Sequence, residues 1–332
     1  MNRIVRWGIA GPGRIAAKVA ADFAHVPDAE LRAVGSRSLE RAQRFAEAHR
    51  ISRPHGSYSA LIADPEIDAL YIATPHPQHH AIAIAALNAG KHLLIEKAFT
   101  ATVAGAEEII SLAHKQQRFV MEAMWTRFQP AIVKLRELLR GGAIGEVRGV
   151  QADLGINPPY DPRERFFDLK LGGGAMLDLG VYPVSFAQML LGEPDQISVQ
   201  GSRTGSGVDA EAALILGYPG GRRAQLTCSL LTSLPGQACI HGSEGHIDIP
   251  PRFHHPHDLV LHRRKREPER FKCPPLGGGY SHELIEVTEG IRAGKTESAI
   301  LPLADTLSVQ RILNRACESL GVFHAEAAAH PG

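Results

Sequence analysis

The sequence predicts an α/β protein of two domains: a parallel sheet covered by helices over residues 1–124, then an α+β domain with a large, mostly antiparallel sheet over residues 125–332. Three observations predict this. Through residue 124, short apolar runs alternate with amphipathic helical segments, the pattern of buried parallel strands joined by crossover helices. From Gly145 onward the texture changes to long β-prone runs separated by Gly- and Pro-containing turns. At 332 residues the chain is also longer than one ordinary core requires.

Composition narrows the class. Hydrophobic residues make up 44% and charged residues 21%, ordinary values for a globular chain. With 36 basic against 35 acidic residues, no net field draws nucleic acid or an anionic membrane, and neither is expected as a partner. No apolar run is expected to reach bilayer-spanning length, and a strand beginning at Ile4 leaves no room for a signal peptide. Cys228, Cys239, Cys273 and Cys317 are scattered without a CxxC pair. That favours reduced thiols in a cytoplasmic setting over a zinc site or a disulfide framework, so no metal is expected. Only the tail HAEAAAHPG is expected to fray.

The first strand, over 4–10, runs into Gly11-Pro12-Gly13-Arg14-Ile15-Ala16, and Ile15, Val19 and Phe23 then recur at helical spacing. GxGxxA between a strand and a helix is the context of a dinucleotide fingerprint. Gly11 and Gly13 allow the turn and the close approach of a pyrophosphate, while the N–H groups at Arg14 and Ile15 and the helix dipole hold it. The alternation continues with strands at 31–35, 69–73, 92–95 and 119–122 and helices at 39–49, 77–89 and 102–115, which makes the first half a Rossmann domain.

The end of the second strand bears on the cofactor. An NAD site places a carboxylate there, about 20 residues past the fingerprint, for the ribose 2′-hydroxyl. Here the residues are Ser36-Arg37-Ser38. A guanidinium flanked by hydroxyls suits a 2′-phosphate, so NADP is expected ahead of NAD; alternatively Arg37 and Ser38 form a solvated turn and a helix cap. Ligands of an open parallel sheet lie at the carboxyl ends of its strands. Two such ends are polar: Thr74-Pro75-His76-Pro77-Gln78-His79 and Glu96-Lys97-Ala98. A lysine beside a cationic nicotinamide is expected to have a lowered pKa and to orient or help deprotonate a substrate hydroxyl; alternatively Lys97 is a surface lysine with Glu96 as an exposed neighbour.

These stretches, with MEAMWTRFQP and GGGAMLDLGVYP further on, resemble the Gfo/Idh/MocA oxidoreductases over nearly the whole chain. Tyr at 182 together with the Trp-containing stretch resembles the branch that holds dimeric dihydrodiol and NADP-dependent xylose dehydrogenases. The resemblance implies a catalytic lysine in the Glu96-Lys97 motif and a cofactor-site motif at Thr74, Pro75 and His79. It also implies Trp125 and Arg127 beside nicotinamide and substrate. His76 stands where the family has Asn, and Ala98 where it has Pro, a change expected to loosen the loop.

In the second half, residues 130–140 read as a helix, and 146–156, 197–203, 210–218, 222–231, 237–249 and 259–265 as strands; helices over 283–293 and 303–320 close the chain. EAALILGY and QLTCSLLT are apolar at both alternating sets of positions. One face is therefore expected to be covered by helices and the other by a second subunit, giving a homodimer or higher homo-oligomer. The tract Phe253-His254-His255-Pro256-His257 reads as a Pro-rich loop rather than a metal site. His262-Arg263-Arg264-Lys265-Arg266 reads as an edge protected by charge. Arg163, Arg165, Phe166 and Phe167 line a pocket or pin a loop.

Gly172 to Pro183, GGGAMLDLGVYP, reads as the floor of a site. Glycines let backbone approach a ligand, and a helical turn places Asp178 and Tyr182 on one face. Pro183 demands a kink or a helix start nearby, because it lacks an N–H and clashes with the carbonyl four residues back. The leading expectation is an NADP-dependent dehydrogenase acting on a sugar or cyclic diol. Tyr182 is its acid/base, Lys97 the cation that lowers the tyrosine pKa, and Asp178 an orienting group, with Trp125 and Phe166 packed on the substrate ring. The alternatives are a sugar–sugar oxidoreductase that keeps its cofactor bound, and a non-enzymatic NADP sensor that would have no use for Lys97 and Tyr182.

Overall fold

The computed structural model describes residues 4–328. In place of a single cut after residue 124, the chain forms two compact units. Among the described residues, one comprises 4–123, Leu276–Leu307 and 325–328, the other Met124–Pro275 and Ser308–His324.

In the first unit, β1 (Val5–Ala10), β2 (Ala29–Gly35), β3 (Arg53–His55), β4 (Ala69–Ile72), β5 (His92–Glu96) and β6 (Val120–Ala123) form one parallel sheet. Its order is β3-β2-β1-β4-β5-β6, so the winding reverses between β1 and β4, where a doubly wound sheet opens its ligand crevice. The connections are α1 (Arg14–Asp22), α2 (Leu39–His49), α3 (Tyr58–Ile62), α4 (His76–Asn88) and α5 (Val103–Gln116). Hydroxyls start three of these helices: Ser38 Oγ accepts from Arg41 N, Ser57 Oγ from Ala60 N, and Thr102 Oγ1 from Gly105 N. Leu61, Leu70, Ile72, Leu93, Ile95 and Phe99 form the centre of a fully buried apolar cluster. The short β3 and α3 were not expected, since neither is long enough to show a period.

The second unit opens with α6 (Pro130–Arg140), whose first residue is a proline, where no N–H is missed. It contains β7 (Val147–Gly155), α7 (Val181–Leu191), β8 (Gln196–Arg203), β9 (Asp209–Gly217), β10 (Arg223–Ser229), β11 (Ala238–Gly242), β12 (Gly245–Ile249), β13 (Asp258–Arg263) and β14 (Glu269–Lys272). The strands make one sheet in the order β14-β13-β12-β11-β7-β10-β9-β8. All neighbours are antiparallel except β7 and β10. The expected strand over 237–249 is a hairpin that turns at Ser243 and Glu244. The basic run from His262 to Arg266 finishes β13 and enters the turn to β14, so β14 and not the basic run forms the sheet edge.

This sheet buries one face: Ala212, Leu214 and Leu216 of β9 and Ala224, Leu226 and Cys228 of β10 lie within 2% of full burial. The other face exposes Ala213, Ile215 and Gln225, so alternation is restored where the sequence read as apolar throughout. The helical stretch Leu169–Leu191 is long and apolar enough to cross a membrane, contrary to expectation. Yet 83% of its most apolar window is buried within the protein, as in a core helix.

The chain then returns to the first unit through α8 (Ser281–Arg292), while α9 (Leu303–Ser319) contributes residues to both units. Asp22 anchors the return: its carboxylate, 4% exposed, accepts the N–H groups of Gly278, Tyr280 and Ser281 at 2.7–3.0 Å. Phe119 fills the space that a side chain at Gly290 would need, within 2.3 Å of an added Cβ. The described part of the tail is held rather than frayed. Glu326 Oε1 accepts from Thr102 N and Oγ1, both at 2.8 Å, and Ala327 N donates to the Pro77 carbonyl. Residues 329–332 of the tail lie outside the described residues.

Candidate active site

The nucleotide end is built at the β1–α1 turn. Gly11 has φ +99° and lies so near Ala73 O that an added Cβ would stand 3.0 Å away. Gly13 is the N-cap of α1, with no side-chain cap and no carboxylate in the first turn, and an added Cβ would meet nothing within 4 Å. Arg14 and Ile15 begin the helix there. Free N–H groups, a positive helix end and open space fit a pyrophosphate. The buried Thr74 Oγ1, at the end of β4, has no hydrogen-bond partner among the described residues, and suits a cofactor hydroxyl or amide.

At the end of β2, Ser36 is buried, its Oγ accepting Ser38 N, and Ser38 caps α2. Arg37 is exposed. It and Arg41 lie near enough to Tyr58 to oppose the rise that burial imposes on that phenol. Two guanidiniums therefore share this corner, and Arg41 was missed by sequence reasoning. Its only signal was its place in the first turn of the helix that Ser38 starts.

At the end of β5 the backbone leaves the sheet and is caught by side chains. Tyr71 donates its hydroxyl to Glu96 Oε1, and Lys97 N–H donates to Glu96 Oε2 at 3.2 Å. His76 Nε2 donates to the Lys97 carbonyl at 3.1 Å. His79, wholly buried, sets Nε2 2.8 Å from Thr74 O and Nδ1 3.2 Å from Ala98 O and Phe99 O. Burial pushes its pKa down to about 4 although these carbonyls pull it up, so near neutral pH the ring carries one proton. The Lys97–Ala98 peptide is cis. His76 holds the Lys97 carbonyl, and His79 Nδ1 faces those of Ala98 and Phe99. Pro75 is the N-cap of α4, placing His76 at its first position. Lys97 is half-buried.

In the second unit, Gly172 to Pro183 is a site floor of a different kind from that expected. Its glycines approach protein rather than ligand. A Cβ at Gly173 would meet the carbonyls of Arg165, Phe166 and Asp168 within 3 Å, and one at Gly174 (φ +121°) would stand 2.2 Å from Asp209 Oδ1. Asp209 Oδ2 accepts Met176 N at 2.5 Å. A π-turn, Met176–Gly180, follows, and α7 begins at Val181. Pro183 thus falls in the first turn of α7, which settles the clash in the sequence. The regular i,i+4 relation of Asp178 and Tyr182 gives way, since a π-turn widens the helix between them.

Asp178 is buried and paired with Arg165 Nη2 at 2.9 Å, and Arg165 lies over the Phe166 ring with 4.8 Å to its centroid. The loop before the glycines is pinned to the helix by this pair. Arg163 instead pairs with Asp161 at the surface. The half-buried Tyr182 ring lies 5.0 Å from that of His254, and Trp125 stacks on His255 at 4.6 Å with an 11° interplanar angle. Thr126 Oγ1 donates to His254 O at 2.7 Å and fixes this tract. It is a loop, as expected, but His254 and His255 are neighbours of the candidate residues, a placement no spacing in the sequence signals. Arg127 is 2% exposed and turned to α7: Nε to Ser185 Oγ, Nη2 to Ser185 O and to Gln188 Oε1. These bonds tie it to α7.

A nucleotide cradle on a doubly wound sheet, with a lysine at the strand end and a second, sheet-based unit bearing an acid and a phenol, defines an NAD(P)-dependent oxidoreductase. Residues 5–124 match the model of the oxidoreductase family with an NAD-binding Rossmann fold, and residues 132–248 that of the GFO/IDH/MocA C-terminal domain. The chain belongs to the GFO/IDH/MocA family. It is 37% identical over 330 residues to trans-1,2-dihydrobenzene-1,2-diol dehydrogenase of Mus musculus (96% of this chain, 97% of the relative). The human enzyme of that name is 36% identical over the same shares. Among solved structures, an aldose-aldose oxidoreductase from Caulobacter crescentus superposes with a TM-score of 0.86 at 26% identity (96% and 98% covered). A 3-ketoreductase from Actinomadura kijaniata with NADP and TDP-benzene gives 0.82 at 26% (98% and 99%).

Glu283 tests the electrostatics beneath Glu96. It is fully buried near the start of α8, with neither oxygen hydrogen-bonded among the described residues. Burial first, then the charges of Glu96, Asp22 and Glu122, push its pKa well up. The folded state therefore holds a proton that the unfolded chain loses around the ordinary value of 4.5. Stability from this group is full below that pH and falls as pH rises toward the folded pKa. Glu283→Gln is expected to raise the melting temperature at about pH 8, with the gap closing by about pH 4. Thermal unfolding of both proteins across that range checks it, and a gap independent of pH would assign the effect to packing.

Proposed function

We propose that the chain is an NADP-preferring dehydrogenase that oxidises a ring hydroxyl of a sugar or a cyclic diol. The observation that carries it is the cradle at α1 ending in Arg37 and Arg41 where an NAD site has a carboxylate. When bound, the nicotinamide supplies the hydride acceptor. Gly11, Gly13, Arg14 and Ile15 hold the pyrophosphate, Ser36, Arg37 and Ser38 the 2′-phosphate, and Thr74, Pro75, His76, His79 and Glu96 the segments facing the ring. Tyr182 takes the proton of the substrate hydroxyl, Lys97 eases that ionisation as a cation, and Asp178 with Arg165 keeps the loop of Phe166 in place. Trp125 packs on the substrate ring. The names of the relatives, a diol dehydrogenase and sugar oxidoreductases, support the substrate class.

A homodimer through the open face of the second sheet, with Ile215 54% exposed on it, belongs to the same reading. So does a cytoplasmic setting, since all four cysteines are free thiols.

Ser36→Asp is expected to lower the ratio of NADP to NAD kcat/KM by at least about tenfold, the scale of one charge-assisted bond lost and a repulsion gained; an unchanged ratio rejects the assignment of this corner. Tyr182→Phe is expected to cut kcat by about a hundredfold or more, the scale of general acid–base catalysis, with the Kd for NADP nearly unchanged. Equal loss of both would give the tyrosine a structural role. Light scattering at micromolar concentration is expected to show a dimer or larger species, and a monomer would sink the open-face interface.

A further inference from the structure

Behind the π-turn, three side chains from distant parts of the sequence converge. A carboxylate oxygen of Asp209, the Cys317 thiol and a ring nitrogen of His324 all lie within 4.8 Å of one another. Asp209 is the first residue of β9, Cys317 lies near the end of α9, and His324 follows the helix, the chain being turned back by the bond from Val322 N to Cys317 O at 2.9 Å. Asp209 and Cys317 are 0% and 1% exposed. Asp209 Oδ1 and both ring nitrogens of His324 are buried without a hydrogen-bond partner among the described residues. Such groups are costly when left unpaired, so three in one place call for a ligand.

We propose that Asp209, Cys317 and His324 form a zinc site. One carboxylate, one imidazole and one thiolate are a borderline-soft set that suits Zn²⁺, with a water completing the tetrahedron. Zinc bonds run about 2.0–2.2 Å to N and O and about 2.3 Å to S, so donors around a tetrahedron stand roughly 3.3–3.8 Å apart. A cluster whose donors lie within 4.8 Å of one another needs to contract by at most about 1.5 Å on binding. Metal entry releases the Cys317 thiol proton to the buffer as the Zn–S bond forms. The site would staple β9 to the segment after α9 beneath Met176, whose N–H is already held by Asp209. The scattered cysteine spacing that argued against zinc does not bear on a site assembled from separate elements.

A second cluster serves as the control. His246, Asp248 and His262 also lie within 4.8 Å of one another. They are partly exposed on the open sheet face, and both histidines are already paired with Asp248, at 3.7 and 3.2 Å. In the full-length protein, stripped with EDTA and titrated with Zn²⁺ against a chromogenic chelator, equimolar zinc is expected to bind. His324→Ala and Cys317→Ser should each weaken binding at least about tenfold, the least that loss of a ligand costs, while His262→Ala leaves it unchanged. Co²⁺ loading should give a sulfur-to-metal charge-transfer band that Cys317→Ser diminishes. His324 lies outside any helix or strand, so His324→Ala keeps the test valid should the buried cysteine variant not fold. No stoichiometric binding, no sulfur band, or zinc kept in His324→Ala and lost in His262→Ala each overturns the site.

Discussion

A buried backbone group that leaves its ladder must find another partner, and the candidate site is made where the chain does so. At the end of β5, the Lys97 N–H is taken by Glu96 and the carbonyls of Lys97, Ala98 and Phe99 by His76 and His79. At the entry to the π-turn, Asp209 takes the Met176 N–H. In α7, Arg127 donates to Ser185 O. Each missing partner would cost about 1–3 kcal/mol, so these polar residues are first of all the price of putting bends next to a ligand.

That requirement divides the polar motifs into two kinds. His76, His79, Glu96 and Arg127 each bond to backbone or helix. Thr74 Oγ1 and the open side of Gly13 are turned to no protein group among the described residues, and those are the atoms a cofactor can meet.

The sheet and its order of elements were legible because strands and helices in the first unit each carry a clear period, and because capping hydroxyls at Ser38 and Thr102 mark helix starts. β3 and α3, of three and five residues, are too short to show one. The hairpin at Ser243 was hidden because the residues around it continue the β-prone texture. The return of residues 276–307 to the first unit rests on Asp22 and on the Phe119–Gly290 fit, long-range contacts that leave no local mark. Within the site, Lys97 and Tyr182 were visible through motif, whereas Arg41, His254 and His255 enter through folding alone. Asp209 is the clearest case: a lone aspartate opening a strand, it holds the entry to the π-turn that leads to Asp178 and Tyr182.

The π-turn changes what Asp178 and Tyr182 mean. A regular helix would have made them one acid–phenol pair on a shared face, and Pro183 forbids that helix. Inserting Met176–Gly180 as a π-turn moves the break ahead of the proline, and Gly180, packed within 3.1 Å of an added Cβ by Cys228 and Met176, lets the widened turn lie flat on the sheet. Asp178 then faces Arg165, whose guanidinium also covers Phe166. The phenol lies half-buried against an imidazole. The π-turn, not a regular helix, sets the spacing between the two side chains.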